Sequence, residues 1–307
     1  MIIVLLRALF HQSASASPFW RARVGVTLRT LAVASLAVAL AVPVRAEESE
    51  TMAGKALKQL VERQQELLAD AAKENPNFDQ NNFQMQMEQV CRGYEELLRA
   101  NPRMAEGYTA YGYLLSKLDQ RKQSISMLLK ANQLNPDQPL VKNQIGNYLA
   151  ESGKPLDALP YYLAAIKLAP KEPLYHYQLG TLLSEARDEF LKSGEWKREA
   201  IDHAIHDAFG QAATLAPDRI EFTYRYAESF YEMEVPDWEG ALKAWGDLEA
   251  KAPTPVERET MRLHIANVWI KKGSPERAKA VLATIMDPAL QKQKEKLVAQ
   301  LIPAADK

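Results

Sequence analysis

The residues with the most chemical potential lie in the string DHAIHD at 202–207, where His203 and His206 stand three apart between Asp202 and Asp207. On a helix, that spacing can bring two imidazoles toward one metal ion, but a third ligand would have to come from elsewhere and no HExxH spacing is present. Cys91 is the single cysteine. It excludes an intrachain disulfide and a multi-Cys zinc site, and no His partner accompanies it as in a thiol nucleophile. The chain has no GxSxG elbow, no Walker A loop and no GxGxxG following a strand. The expectation is therefore a protein without enzymatic activity and without a cofactor. A metal-dependent enzyme or sensor built on His203 and His206 is the alternative.

The elements that would position these side chains begin after an export-type leader. Residues 31–44, LAVASLAVALAVPV, form an apolar run preceded by Arg21, Arg23 and Arg29 and followed by Val44-Arg45-Ala46. The run is shorter than the ~20 residues a spanning helix needs, and the small residues at the boundary suit a signal peptidase. The expected arrangement is a signal peptide over 1–46, cleaved after Ala46, and a periplasmic or secreted product with no membrane span once it is removed. Retention of the leader as an anchor is the alternative. The leader holds five Arg and no acidic residue, so the formal charge of −1 for the whole chain becomes −6 from Glu47 onward, with 33 basic against 39 acidic residues. With no local basic patch evident, nucleic acid is not expected as a partner.

Past the leader the chain repeats. RANP, QLNP and KLAP end at Pro102, Pro136 and Pro170, two steps of 34, and the ending recurs at Pro217 and Pro253 after steps of 47 and 36. Eight residues before these prolines stand Tyr94, Leu128, Tyr162, Phe209 and Trp245, and five before stand Leu97, Ala131, Ala165, Ala212 and Leu248. Ten residues after the first four come Gly112, Gly146, Gly180 and Ala227. Apolar residues recur every three or four positions, as in Leu149, Leu156, Leu159, Tyr162, Leu163 and Ile166, with Gly153 between them, so each period reads as helix, turn, helix. Pro139, Pro173 and Pro255 suit first helical turns, and Thr254 with Glu257 has capping-box spacing. A single hairpin of this kind cannot bury its apolar face, so neighbours must stack.

These landmarks resemble the tetratricopeptide (TPR) family and identify the chain as similar to exported bacterial TPR proteins. The match is best over 105–172, with Tyr108, Tyr111, Gly112, Leu115, Ser124, Leu128, Ala131 and Pro136, then Ile145, Gly146, Leu149, Ala158, Tyr162, Ala165 and Pro170. The resemblance implies an all-α superhelix of helix hairpins with capping helices at both ends. The implied organisation is a helical cap and half repeat at 47–102, a solenoid at 103–288 with an insertion near 186–203, and a capping helix and tail at 289–307. It also implies an interaction scaffold or assembly factor that holds a peptide or partner protein in a concave groove lined by the first helix of each repeat.

Counted from each repeat's start, groove offsets two, five, nine, twelve and thirteen carry Glu106, Thr109, Tyr113, Ser116 and Lys117, then Leu140, Asn143, Asn147, Ala150 and Glu151. The third repeat begins Leu174, Tyr177 and Thr181. Asn143 and Asn147, four apart, share a helix face where two carboxamides could bond a peptide backbone. Tyr113, Tyr177 and Tyr224 would add contact area beside them. Trp196, in the insertion with Gly194 near its tip, is either a partner contact on a projection or folds back on the body.

Overall fold

The computed structural model describes residues 51–73 and 78–301. The leader and the expected cut after Ala46 lie outside the described residues. Among those described, every regular element is helical, and no helix is long and apolar enough to cross a membrane. The chain divides into two compact units at Leu168 and Ala169.

In the first unit, α1 (Met52–Ala72) and α2 (Gln80–Ala100) are 21 residues each. Thr51 and Asp79 cap them by accepting from the N–H of Gly54 and Asn82, which satisfies first-turn donors that have no partner in the helix. The sequence reads 47–102 as a helical cap and half repeat. In the structure the two helices pair as a hairpin: Leu67 of α1 joins Met87, Val90, Tyr94 and Leu98 of α2 in one core. That core continues into Ala110, Tyr111, Leu114 and Leu115 of α3 (Ala105–Lys117). The buried Tyr94 hydroxyl donates to Gln64 Oε1 at 2.8 Å, and its ring stacks on Tyr111 at 5.2 Å.

Two regular repeats follow, α3 with α4 (Arg121–Leu134) and α5 (Pro139–Glu151) with α6 (Pro155–Leu168). The landmarks counted before each proline are interior side chains: Leu128, Ala131, Tyr162 and Ala165 here, and Phe209, Ala212, Trp245 and Leu248 in the second unit. Gly112 lies so close to α4 that an added Cβ would stand 2.9 Å from Leu128. The same approach lets Ser124 Oγ donate to the Gly112 carbonyl at 2.8 Å. Asp119 and Gly153, 34 apart, close the two hairpin turns with positive φ of 57° and 72°. Only glycine takes that conformation without steric cost.

In the second unit, α7 (Pro173–Glu185) pairs with α9 (Arg198–Leu215), and the insertion between them forms the short α8 (Arg187–Lys192) and a turn at Gly194. The insertion folds back rather than projecting. Phe190 is buried and Trp196, half-buried, meets it edge-on at 5.9 Å. Charge fastens the same region. The Asp202 carboxylate, 2% exposed, faces Arg187 Nε at 3.2 Å and Arg198 Nε at 2.7 Å and accepts the Glu234 N–H at 3.1 Å. Glu232 receives Arg187 at 2.8 Å and Ser184 at 3.0 Å. The insertion is thereby tied to the turn between α10 (Ile220–Ser229) and α11 (Trp238–Lys251).

The fold ends with α12 (Pro255–Lys271), α13 (Pro275–Ala283), a 3-10 turn at Pro288–Leu290 and α14 (Gln291–Ala299). The capping box at Thr254 and Glu257 is formed in both directions. Leu297 packs with Leu301 onto a core of Leu263, Ala266, Leu282, Ile285 and Leu290.

Candidate partner-binding face

The first helix of each repeat presents the five counted offsets on one side, and contacts between first helices bring those rows together within each unit. In the first unit, Thr109 Oγ1 of α3 donates to Gln138 Oε1 at the head of α5 at 2.7 Å. In the second, the Tyr177 ring of α7 lies 4.8 Å from Phe222 of α10, and Ser184 reaches Glu232 just past α10. Tyr224 of α10 is hydrogen-bonded to His264 Nε2 of α12 at 3.0 Å.

The structure treats the sequence-derived site residues unequally. Tyr113 is nearly buried, with Lys117 Nζ 5.2 Å over its ring. Asn143 is 1% exposed, packed inside the α5 layer rather than facing solvent. Asn147 is partly exposed, and its Oδ1 accepts the Tyr162 hydroxyl at 2.7 Å, an intrahairpin bond. The two carboxamides therefore do not stand together on an open surface: a spacing of four fixes helix phase but not the depth of the neighbouring layer. Tyr177 sits in a ring cluster with Phe209 and Phe222, with its hydroxyl bonded to Glu221. Tyr224 is buried edge-on against Trp245 at 5.1 Å. Burial pushes both phenols up from their ordinary range, so they stay protonated.

His203 and His206 do not converge. His203 is exposed, while His206 turns inward, Nδ1 2.9 Å from Ser229 Oγ and its ring 4.4 Å from Phe230. Burial lowers the His206 pKa. Among the described residues no group of three or more His, Cys, Asp or Glu side chains is placed to hold a metal. The metal-dependent alternative has no geometric support, because three helical steps sent one ring to solvent and the other into the packing against α10.

Continuing the same offsets into the fourth and fifth repeats finds what the shorter count missed: Glu221, Glu228, Tyr231 and Glu232, then Thr260, His264 and Asn267. His264 stacks on the Trp245 indole at 3.9 Å and 6°, and burial lowers its pKa to about 3, so its ring is neutral. Burial also raises the Glu221 carboxyl, with Arg219 and the Tyr177 hydroxyl opposing the shift. Arg225 pairs with Glu228 at 2.7 Å.

Residues 105–138, which span α3 and α4, match the tetratricopeptide repeat family model. A tetratricopeptide repeat is present at these residues. The match covers a single period, and the in-phase hairpins on both sides extend it structurally. Among solved structures, Pseudomonas aeruginosa PilF is similar at a TM-score of 0.56 and 12% identity, over 81% of this chain and 100% of that chain. PilW, described as a widely conserved type IV pilus biogenesis factor, is similar at 0.51 and 11%, over 81% and 100%. Identities this low speak to the fold alone. No curated protein matches the sequence.

Proposed function

We propose that the protein is a non-enzymatic scaffold of the cell envelope that holds a peptide or extended segment of a partner protein along the first-helix faces of its repeats. The observation that carries this reading is the lateral joining of those helices, through Thr109–Gln138 in one unit and Tyr224–His264 in the other, which lines up equivalent offsets from successive repeats. Tyr177 and Tyr231, partly exposed among polar neighbours, supply contact area at low entropic cost together with hydrogen-bonding groups. Export rests on the leader at 1–46; N-terminal sequencing of the mature product is expected to begin at Glu47, and recovery of Met1 would instead mark a retained anchor.

Photo-crosslinking in the native cells tests the face. A benzophenone amino acid at Lys117 or Thr181 is expected to trap partner protein, while the same probe at Leu129 or Leu163, exposed on second helices, is not. Adducts that form equally from both sides would overturn the assignment.

A further inference from the structure

We infer that the outer face of α6 is an interface between two copies of this chain, packed antiparallel about a two-fold axis. The inference is independent of the scaffold reading, because it concerns second helices and not the first-helix face. α6 reads PLDALPYYLAAIKL, and Asp157 in its first turn and Lys167 in its last are the only charged residues of the fourteen. A helix that is apolar on every side belongs where every side is covered. The inner side has that cover: Ala158, Tyr162 and Ala165 are buried, and Tyr161 packs on the core of Leu128, Ala131, Val141 and Ile145 built by α4 and α5. The outer side lacks it. Leu156 and Leu163 are 44% and 49% exposed, with Pro160, also exposed, between them. Leu129 of the adjacent α4, one 34-residue period before Leu163, is 48% exposed. Apolar side chains grouped in this way mark an association surface.

The charges name the occupant. Asp157 and Lys167 are both exposed, and among the described residues neither takes part in an ion pair. They stand ten residues apart, about 15 Å along the helix, too far to pair with each other. A two-fold contact sets residue i against j and j against i. With the axis near Tyr162, an antiparallel pair brings each Asp157 level with the partner's Lys167, so an opposite-charge pair closes both ends and the helix dipoles run in opposition. Pro160 comes level with the partner's Ala164 at the centre, where these small side chains let two helices approach closely. Parallel packing would set Asp157 against the partner's Asp157. An anionic lipid surface would meet Asp157 and the −6 of the chain beyond the leader. A contact built on one helix of about 20 Å and its neighbour belongs with the small interfaces that dissociate on dilution.

Sedimentation equilibrium of the mature chain between about 1 and 300 µM is expected to show a reversible dimer. Leu163→Glu, at an exposed position, should weaken it at least about tenfold while circular dichroism shows the fold unchanged. Asp157→Lys, which meets the partner's Lys167, should weaken it about three- to tenfold, and adding Lys167→Asp should restore it. Rescue by the second change requires the two positions to meet across the axis, since they do not meet within one chain. A chain that stays monomeric throughout, or a dimer indifferent to Leu163→Glu, would overturn the inference, and so would a charge swap that gives no rescue. A monomer that co-sediments with phosphatidylglycerol vesicles would assign the patch to lipid and overturn it as well. The crosslinking probe at Leu163 should then yield an adduct of twice the chain's own mass and no foreign protein, which keeps this result distinct from the outcome for the first-helix face.

Discussion

Acidification should destabilise the second unit chiefly through His264, with His206, whose pKa burial also lowers, acting in the same direction. In the folded protein the His264 ring lies flat on Trp245 at 3.9 Å and is hydrogen-bonded to Tyr224, and burial lowers its pKa to about 3 from an ordinary 6.5. The unfolded chain therefore takes up the proton first as pH falls. A depressed histidine pKa makes stability complete above 6.5, lost progressively below it, and level again only near pH 3, where the folded ring protonates too. Each unit of pH well between those limits costs about 1.4 kcal/mol, and less near 6.5 where the unfolded ring is half protonated, so the drop from pH 6.5 to 4.5 amounts to about 2.3 kcal/mol. That is a large share of the 5–15 kcal/mol typical of a folded domain. Carboxyls also titrate in this window, and burial raises the pKa of Glu221, which works in the opposite direction. The comparison with His264→Phe isolates the histidine: the variant keeps a flat ring against Trp245 and cannot titrate. Urea unfolding at pH 6.5 and 4.5, followed by Trp fluorescence, should show the parent losing about 2.3 kcal/mol more than the variant. The variant starts lower at both pH values because Tyr224 loses its partner ring nitrogen, so only the difference in slopes counts. Parallel losses would refute the reasoning.

Three further outcomes follow from the same packing. Gly146→Ala, whose Cβ would meet Tyr162 at an ordinary 3.4 Å, should be neutral or gain up to about 1 kcal/mol of helix propensity, whereas Gly180→Ala should lose about 1–3 kcal/mol because its Cβ would stand 2.8 Å from the fully buried Phe209 ring. Thermal melts of the two variants check this contrast. Asp202→Ala removes the buried carboxylate that faces Arg187 and Arg198 and accepts the Glu234 N–H, and should cost about 3–5 kcal/mol in urea unfolding, with proteolysis appearing first in 187–198. Cys91, whose pKa burial and the nearby Glu95 and Glu88 raise to about 11, should alkylate at pH 8 about a hundredfold more slowly than an ordinary thiol, as mass spectrometry of iodoacetamide-treated folded protein would show.

Much of the repeat architecture was legible because its signal is periodic. Residues at fixed distances before each proline all became interior side chains, since one helix pair stacked on the next gives every period the same neighbours. Elements that depart from the period were harder to read. The α1–α2 hairpin uses 21-residue helices whose apolar stripes obey no 34-residue count, and the thirteen extra residues of the insertion could have projected as readily as folded. Asp202, read from the sequence as one flank of a metal-like string, is the anchor of that insertion, because its partners Arg187 and Glu234 are distant in the chain and meet it only after folding.

The candidate face divides along the same line. Sequence alone determined which residues share a helix side, because the 3.6-residue turn fixes phase locally. Depth was settled by tertiary structure. Asn143 and Asn147 have the same spacing on paper as any exposed pair, yet neighbouring helices bury the first and engage the second with Tyr162. His264 carries no mark in the sequence, and it becomes a neutral, stacked ring because Trp245 and Tyr224 arrive from two other helices to remove it from water. Burial and partner choice depend on side chains far apart in the chain, so no local pattern encodes them.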